Sequence, residues 1–84
     1  MSGTVLTLIG KPGCHLCDDA RSVVDRVLAD FPDVALEERS ILDDDELSRA
    51  YGDEIPVVMI DGRVHTIWRV DADRLREALS QSTN

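Results

Sequence analysis

Two cysteines stand at the junction between a strand pattern and a long helix pattern, and this junction constrains the fold more than any other feature. Residues 5–9 are β-branched and apolar and end at a glycine, which is typical of a short buried strand. From Leu16, apolar side chains recur at the spacing of one helix face, at Ala20, Val23, Val24, Val27, Leu28 and Phe31. Because only the loop at 10–13 separates the two patterns, Cys14 falls at or beside the first helical position, and Cys17 follows it within one turn.

Two shorter helices are predicted further along the chain. The acidic run at 43–46 is typical of the cap and first turn of a short helix, which ends at Gly52. Asp71 caps a last helix that runs to Leu79. The polar residues 80–84 have nothing to bury and are expected to form a flexible tail.

The strand patterns predict a mixed sheet. Residues 34–38 form a second, weaker strand. Strands at 57–60 and 64–68 flank the turn Asp61-Gly62, which is a strong β-hairpin signal. The order is therefore β-α-β-α-β-β-α, with a parallel first βαβ unit and an antiparallel hairpin. We expect a single α/β domain over residues 1–84, with four strands and helices on the faces of the sheet.

Charge and hydropathy exclude several classes of partner. The chain carries nine Lys and Arg against seventeen Asp and Glu, a formal net charge of -8. Such a charge repels phosphate backbones and anionic lipids, so neither nucleic acid nor a membrane is an expected partner. No apolar stretch approaches the roughly 18 residues that span a bilayer, and no basic segment precedes the first apolar run, so we expect a cytoplasmic protein. A monomer is the expected state.

The position of Cys14 predicts thiol chemistry. A helix N-terminus carries roughly half a positive charge and unpaired backbone N–H groups, which favour a thiolate over a thiol. We therefore expect Cys14 to be the attacking sulfur. Cys17 lies nearly one turn deeper on the same face, where its sulfur can attack a mixed disulfide and release the reduced substrate.

A cysteine pair at this spacing has two other interpretations. It is also half of a zinc or iron–sulfur site, which requires four protein ligands or a partner subunit. Only His15 and His65 remain as nitrogen ligands, so a metal or iron–sulfur centre would need two chains that each contribute Cys14 and Cys17. The other alternative is a binding module without turnover. The strand-to-helix context of the pair favours the redox interpretation.

The cysteine segment and two later features occur in the order and spacing of a glutaredoxin. They are Lys11-x-x-Cys14-x-x-Cys17, the Ile55-Pro56 step and the Asp61-Gly62 hairpin, and residues 4–79 resemble a glutaredoxin as a whole. More closely, residues 10–18 resemble the short glutaredoxin-like proteins of unassigned substrate. The resemblance implies a thioredoxin-like (glutaredoxin) fold. It also implies a thiol-disulfide oxidoreductase that reduces disulfides or mixed disulfides by dithiol exchange, with no bound cofactor.

The same resemblance implies which residues contact the substrate. Ile55 and Pro56 are expected to form a cis peptide that faces the cysteines, with the Ile55 backbone free to pair with an extended thiol substrate. Lys11 corresponds to a basic residue that meets a glutathione carboxylate. Asp71 corresponds to an acidic residue that meets the glutathione amine, although it also suits a helix cap. The expected partners are a disulfide-containing protein or a small thiol, with electrons from glutathione or a thioredoxin reductase.

Two departures from glutaredoxins bear on glutathione. Glutaredoxins usually carry a proline and an aromatic residue between the cysteines, whereas this chain has His15 and Leu16. They also carry a Gly-Gly pair after the hairpin, where this chain has larger side chains at 66–70, which we expect to hinder a close approach of glutathione to the backbone. Trp68, within this segment, is predicted to pack in the core beneath the last helix, with a substrate platform as the alternative.

Overall fold

The computed structural model describes residues 3–82 as one four-stranded sheet with three helices. The elements follow the predicted order, β-α-β-α-β-β-α. Their bounds are β1 Val5–Gly10, α1 His15–Leu28, β2 Ala35–Ser40, α2 Asp45–Tyr51, β3 Val57–Ile60, β4 Arg63–Ile67 and α3 Ala72–Ser82. Among the described residues, no helix is long and apolar enough to cross a bilayer.

The strands lie in the order β2-β1-β3-β4, so β1 has a neighbour on each side. β1 pairs with β2 in parallel, from Val5 opposite Ala35 to Gly10 opposite Ser40. β3 runs antiparallel to both β1 and β4. The predicted parallel pair, antiparallel hairpin and mixed sheet are therefore confirmed. The carboxyl ends of β1 and β2 meet at one edge of the sheet, where the chain enters α1.

Turn and capping residues act as their positions in the sequence predict. Asp61 and Gly62 have φ angles of 51° and 83°, the left-handed pair that a two-residue type I′ hairpin turn requires. The Asp61 carboxylate also fastens the turn to β1, because it accepts the N–H of Val5 at 2.9 Å. The Asp44 carboxylate caps α2 by accepting backbone N–H groups of the first helical turn.

One face of the sheet and the inner faces of α1 and α3 form the hydrophobic core. The buried side chains come from alternate strand positions, from helix positions one turn apart and from the bend before β2, namely Leu6, Leu8, Ala20, Val24, Val27, Val34, Val58, Ile60, Leu75 and Leu79. α2 contributes no buried residue. The position of α1, and of the cysteines at its start, therefore depends on packing against the sheet and α3.

Two helix ends differ from the sequence prediction. α1 ends at Leu28, so Phe31 packs against the core from a turn after the helix. α3 reaches Ser82, whereas the predicted helix ended at Leu79 and a tail followed. The helix continues because the intervening residues include no proline or glycine that would end it. Of the predicted tail, residues 83–84 lie outside the described residues.

Trp68 lies at the surface, so the prediction that it packs in the core is wrong. The residue is 53% exposed. β4 ends at Ile67, and Trp68 then adopts a φ of 68°, in a region that bulky residues rarely occupy. Hydrogen bonds from Trp68 to the carbonyls of Pro56 and Asp53, both distant in sequence, hold the ring at the surface. The chain turns there before α3 begins, and the core beneath α3 is filled by Leu75 and Leu79.

Truncation of one buried leucine tests this assignment of the core. We expect Leu75→Ala, at a fully buried position of α3, to lower the free energy of unfolding by about 2–5 kcal/mol, because it leaves a cavity. Leu42→Ala is the matched control, since Leu42 is 69% exposed, and it should change that free energy by less than about 0.5 kcal/mol. Urea denaturation measures both variants, and similar losses would contradict the assignment.

Candidate functional site at the start of the first helix

Cys14 is the N-cap residue of α1, in agreement with the sequence prediction. Its backbone is extended, with φ -99° and ψ 116°, and its sulfur accepts the backbone N–H of Cys17 at 3.2 Å. The sulfur therefore occupies the place that a serine or aspartate oxygen takes at many helix starts. Cys14 is partly exposed, so a substrate can reach the sulfur from solvent.

Cys17 is the buried member of the pair. It is 8% exposed and forms no disulfide. Burial is the largest cause that raises the pKa of the Cys17 thiol to about 11, and the neighbouring Cys14 side chain is the second. The backbone N–H of Lys11 lowers this pKa, whereas the charge of Asp18 raises it further. The pair is asymmetric, with an accessible sulfur at the cap and a buried, protonated thiol one turn further along the helix.

Gly10 leaves room for Cys17 at the end of β1. A Cβ atom on residue 10 would lie 2.9 Å from the Cys17 sulfur, too close for nonbonded atoms, and in a tight contact of 3.2 Å with the Cys17 Cβ. The sulfur on the helix thus packs directly against the backbone of the strand. In the sequence analysis Gly10 was interpreted only as the end of a strand. A glycine at the end of a buried strand is also compatible with a close approach of another segment, and this was the single sequence signal for the contact with Cys17.

A cleft of about 350 Å³ opens beside Cys17, between α1 and the carboxyl ends of β1 and β2. We call it the β2 cleft, and its lining includes Lys11, Cys17, Asp18, Arg21, Glu38, Arg39, Ser40 and Asp43. Arg21 and Glu38 form an exposed ion pair in this lining, with a nitrogen-to-oxygen distance of 3.2 Å. The structure thus places Lys11 beside Cys17, while the contact of Lys11 with a glutathione carboxylate stays a prediction.

The Ile55-Pro56 peptide bond is cis, as the resemblance implies. Pro56 is buried and directly precedes Val57, which pairs with Ile9 in the sheet. Pro56 therefore lies at the end of the sheet where β1 leads through Gly10 into the cysteine loop. The pairing of the Ile55 backbone with a substrate stays a prediction.

Asp71, His15 and His65 do not line the β2 cleft. The Asp71 carboxylate accepts the N–H groups of Asp73 and Arg74 at 2.9 and 3.1 Å, which confirms the predicted cap of α3. Its contact with a glutathione amine stays a prediction. His15 is exposed, and His65 lies on β4 in a separate cavity beside Arg74. Within the part of the chain that the structure describes, no three His, Cys, Asp or Glu side chains are grouped to hold a metal ion.

A second cavity, of about 180 Å³, lies along a different face of α1. We call it the Trp68 groove, and its lining consists of Leu16, Asp19, Ala20, Val23, Trp68, Arg69 and Val70. Leu16 stands between the two cysteines, so the groove adjoins the cysteine segment. From the sequence, only the alternative interpretation of Trp68 as a substrate platform pointed to this surface.

Sequence comparison relates the chain to other proteins along nearly its whole length. A family profile described as "Glutaredoxin-like domain (DUF836)" matches residues 5–80. An uncharacterised protein from Mycobacterium tuberculosis is 29% identical over 87 aligned residues, which cover 99% of this chain and 90% of that protein.

Comparison of structures shows the same relationship. A structural-genomics target protein from X. campestris is 38% identical, with a TM-score of 0.75, and the match covers 90% of this chain and 96% of that one. A mutant thioredoxin from Halobacterium salinarum has a TM-score of 0.72 at 24% identity, and the match covers 96% of this chain and 75% of the thioredoxin. The predicted thioredoxin-like fold is thereby confirmed.

The first prediction about the site follows from the contact between Gly10 and Cys17. We expect Gly10→Ala to lower the free energy of unfolding by about 1–3 kcal/mol, because the added methyl group overpacks the Cys17 sulfur. Gly3→Ala is the matched control, since a Cβ atom on residue 3 would have no neighbour within 4 Å. Urea denaturation of the reduced proteins measures the difference. Equal, small changes in the two variants would show that residue 10 tolerates a side chain.

The second prediction about the site concerns pH and follows from the burial of Cys17. In a Cys14→Ser variant Cys17 is the remaining thiol, and its ultraviolet thiolate absorbance should rise only above pH 9.0, the ordinary pKa of a cysteine. Because burial lets the folded protein keep this proton to a higher pH than the unfolded chain, the stabilising contribution of the thiol is complete below 9.0 and declines as the pH rises above it. The Cys14→Ser, Cys17→Ser double variant serves as the absorbance blank. An inflection at or below 9.0 would contradict the burial of this thiol.

Proposed function

This chain belongs to the family of glutaredoxin-like domains, and on that premise we propose that it is a thiol-disulfide oxidoreductase acting through Cys14 and Cys17. One observation carries the proposal. The Cys14 sulfur caps α1 by accepting the backbone N–H of Cys17, with the sulfur 3.2 Å from that nitrogen. This cap places the two cysteines on the same side of the helix start, where thiol-disulfide exchange can join their sulfurs.

The first step of the proposed reaction is attack by Cys14. Its thiolate attacks one sulfur of a substrate disulfide, forms a mixed disulfide, and releases the other substrate sulfur as a thiolate that takes a proton from water. The macrodipole of α1 and the Cys17 N–H favour negative charge at the cap before this attack. The partial exposure of Cys14 lets the substrate approach.

Cys17 completes the exchange. Its thiol loses a proton, and its sulfur attacks the Cys14 sulfur, forms the Cys14–Cys17 disulfide, and releases the second substrate thiolate. Two electrons have then passed from the protein to the substrate. Burial, the largest cause of the raised pKa of Cys17, opposes formation of its thiolate, so we expect this second step to be the slower one. An external thiol donor returns the two electrons.

The substrate contacts in this proposal come from three segments. Lys11 offers a cation to a carboxylate, and the backbone of Ile55, before Pro56, offers hydrogen bonds to an extended substrate. The Asp71 carboxylate, which also caps α3, is the proposed contact for an amine. The substrate is a disulfide-containing protein or a mixed disulfide, and glutathione or a thioredoxin reductase supplies electrons. We place this reaction in the reducing cytoplasm and assign it to the monomer.

Serine substitution of each cysteine tests the proposal. Cys14→Ser should abolish the reduction of insulin, because a serine hydroxyl does not replace a thiolate nucleophile. Serine is also a good N-cap, so α1 keeps its start. Cys17→Ser should retain the first attack and accumulate a mixed disulfide on Cys14, which intact-protein mass spectrometry detects.

Ser22→Ala, at an exposed position of α1, is the control and should retain the activity of the natural sequence. A mixed disulfide on Cys17 in the Cys14→Ser variant, or none on Cys14 in the Cys17→Ser variant, would overturn the assigned roles. Absence of disulfide reduction by the natural sequence would favour a binding module. Visible absorbance after anaerobic purification, lost in both cysteine variants, would favour an iron–sulfur centre shared by two chains.

A further inference from the structure

The Trp68 groove presents apolar surface beside the cysteine segment. Trp68 is 53% exposed and Leu16 is 39% exposed, and both line the same groove, together with Val23 and Val70. Single exposed apolar side chains are common on protein surfaces, whereas neighbouring ones form a surface that a partner can cover. Leu16 directly precedes Cys17, so a partner in the groove would lie close to the sulfur pair.

Trp68 is held rigidly at this surface. Its backbone N–H donates to the Pro56 carbonyl at 2.8 Å, and its indole N–H donates to the Asp53 carbonyl at 3.1 Å. Its φ of 68° is one that glycine adopts freely and a bulky residue does not. The fold therefore keeps an exposed aromatic ring in a strained conformation and orders it before any partner arrives. An exposed ring adds little to the core, so this strain points to a role in binding.

The size of the groove selects the kind of occupant. Its volume of about 180 Å³ is below the range of about 300–1,000 Å³ that is usual for pockets that enclose a whole small molecule. It suits one apolar side chain of a larger partner. Glutathione has no apolar side chain to place there, whereas a polypeptide does.

The charge of the chain selects the sign of the partner. The lining of the groove contains one acid, Asp19, and one base, Arg69, whereas the whole chain carries a net charge of -8. An excess of one charge over a surface selects partners of complementary charge. Glutathione carries more carboxylates than amines, so the net charge of the chain disfavours it and favours a basic partner.

We propose that the Trp68 groove binds one apolar side chain of an extended, basic polypeptide, whose disulfide Cys14 then attacks. The attack rests on the proposed function, whereas docking in the groove does not require catalysis. The substrate class is therefore a cationic protein segment that carries a disulfide next to an apolar residue.

The fluorescence of Trp68 tests this inference directly, because Trp68 is the single tryptophan of the chain. The Cys14→Ser, Cys17→Ser double variant removes redox chemistry from the measurement. It is titrated with two peptides of equal length that contain one leucine, flanked by lysines in one peptide and by glutamates in the other. We expect a blue shift with the lysine peptide, an affinity about tenfold higher than for the glutamate peptide, and a decline in this ratio as salt rises.

Two pairs of variants in the same background locate the site. Leu16→Ala keeps the fluorophore and should lower the affinity for the lysine peptide about tenfold. Val64→Ala, at a residue that is 50% exposed outside the groove, should leave the affinity unchanged. Asp19→Asn should lower the ratio of the two affinities, whereas Asp25→Asn, at an exposed position further along α1, should not.

Three results would overturn the inference: equal affinities for the two peptides, an unchanged emission spectrum, or competition by oxidised glutathione as effective as that of the lysine peptide. Failure of the redox proposal is recognised separately. If the protein binds the lysine peptide and reduces no disulfide, the groove proposal stands and the oxidoreductase proposal fails. If the protein reduces disulfides and gives no fluorescence response, the oxidoreductase proposal stands and the groove proposal fails.

Discussion

The hydrogen bond from the Cys17 N–H to the Cys14 sulfur is the interaction on which the rest of the site depends. It makes a sulfur the cap of α1, on an extended residue at the point where the chain leaves the loop after β1. Residues three apart at a helix start face the same side, so the bond that caps the helix also brings the two cysteine side chains together. The same hydrogen bond therefore starts the helix and brings the two cysteines together.

The fold then gives the two sulfurs different properties. β1 is paired on both sides, so its carboxyl end is well fixed, and Gly10 at that end offers bare backbone on which Cys17 packs. This contact removes Cys17 from water and raises its pKa, whereas Cys14 stays partly exposed. The core formed by the sheet, α1 and α3 maintains the contact, because α1 cannot shift relative to β1 without disturbing it. One helical turn thus separates an accessible sulfur from a protonated one.

Two faces of α1 present different surfaces beside this pair. The β2 cleft opens on Cys17 and carries both signs of charge, including the ion pair of Arg21 and Glu38. The Trp68 groove is lined by five apolar residues, Leu16, Ala20, Val23, Trp68 and Val70, with one acid and one base. Lys11 lines the cleft and Trp68 lines the groove, so α1 presents two chemically different surfaces next to the same pair of cysteines.

The features that the sequence by itself determined depend on local interactions. The turn at Asp61-Gly62, the caps of the helices and the place of Cys14 at a helix start depend on residues a few positions apart, and these patterns also predicted the element order and the mixed sheet. The cis bond before Pro56 came from the family resemblance, not from the residues alone. The packing of Cys17 on Gly10 and the exposure of Trp68 were decided only by the tertiary structure. Both depend on where separate elements meet in space, and burial between distant segments leaves no periodic signal in the chain.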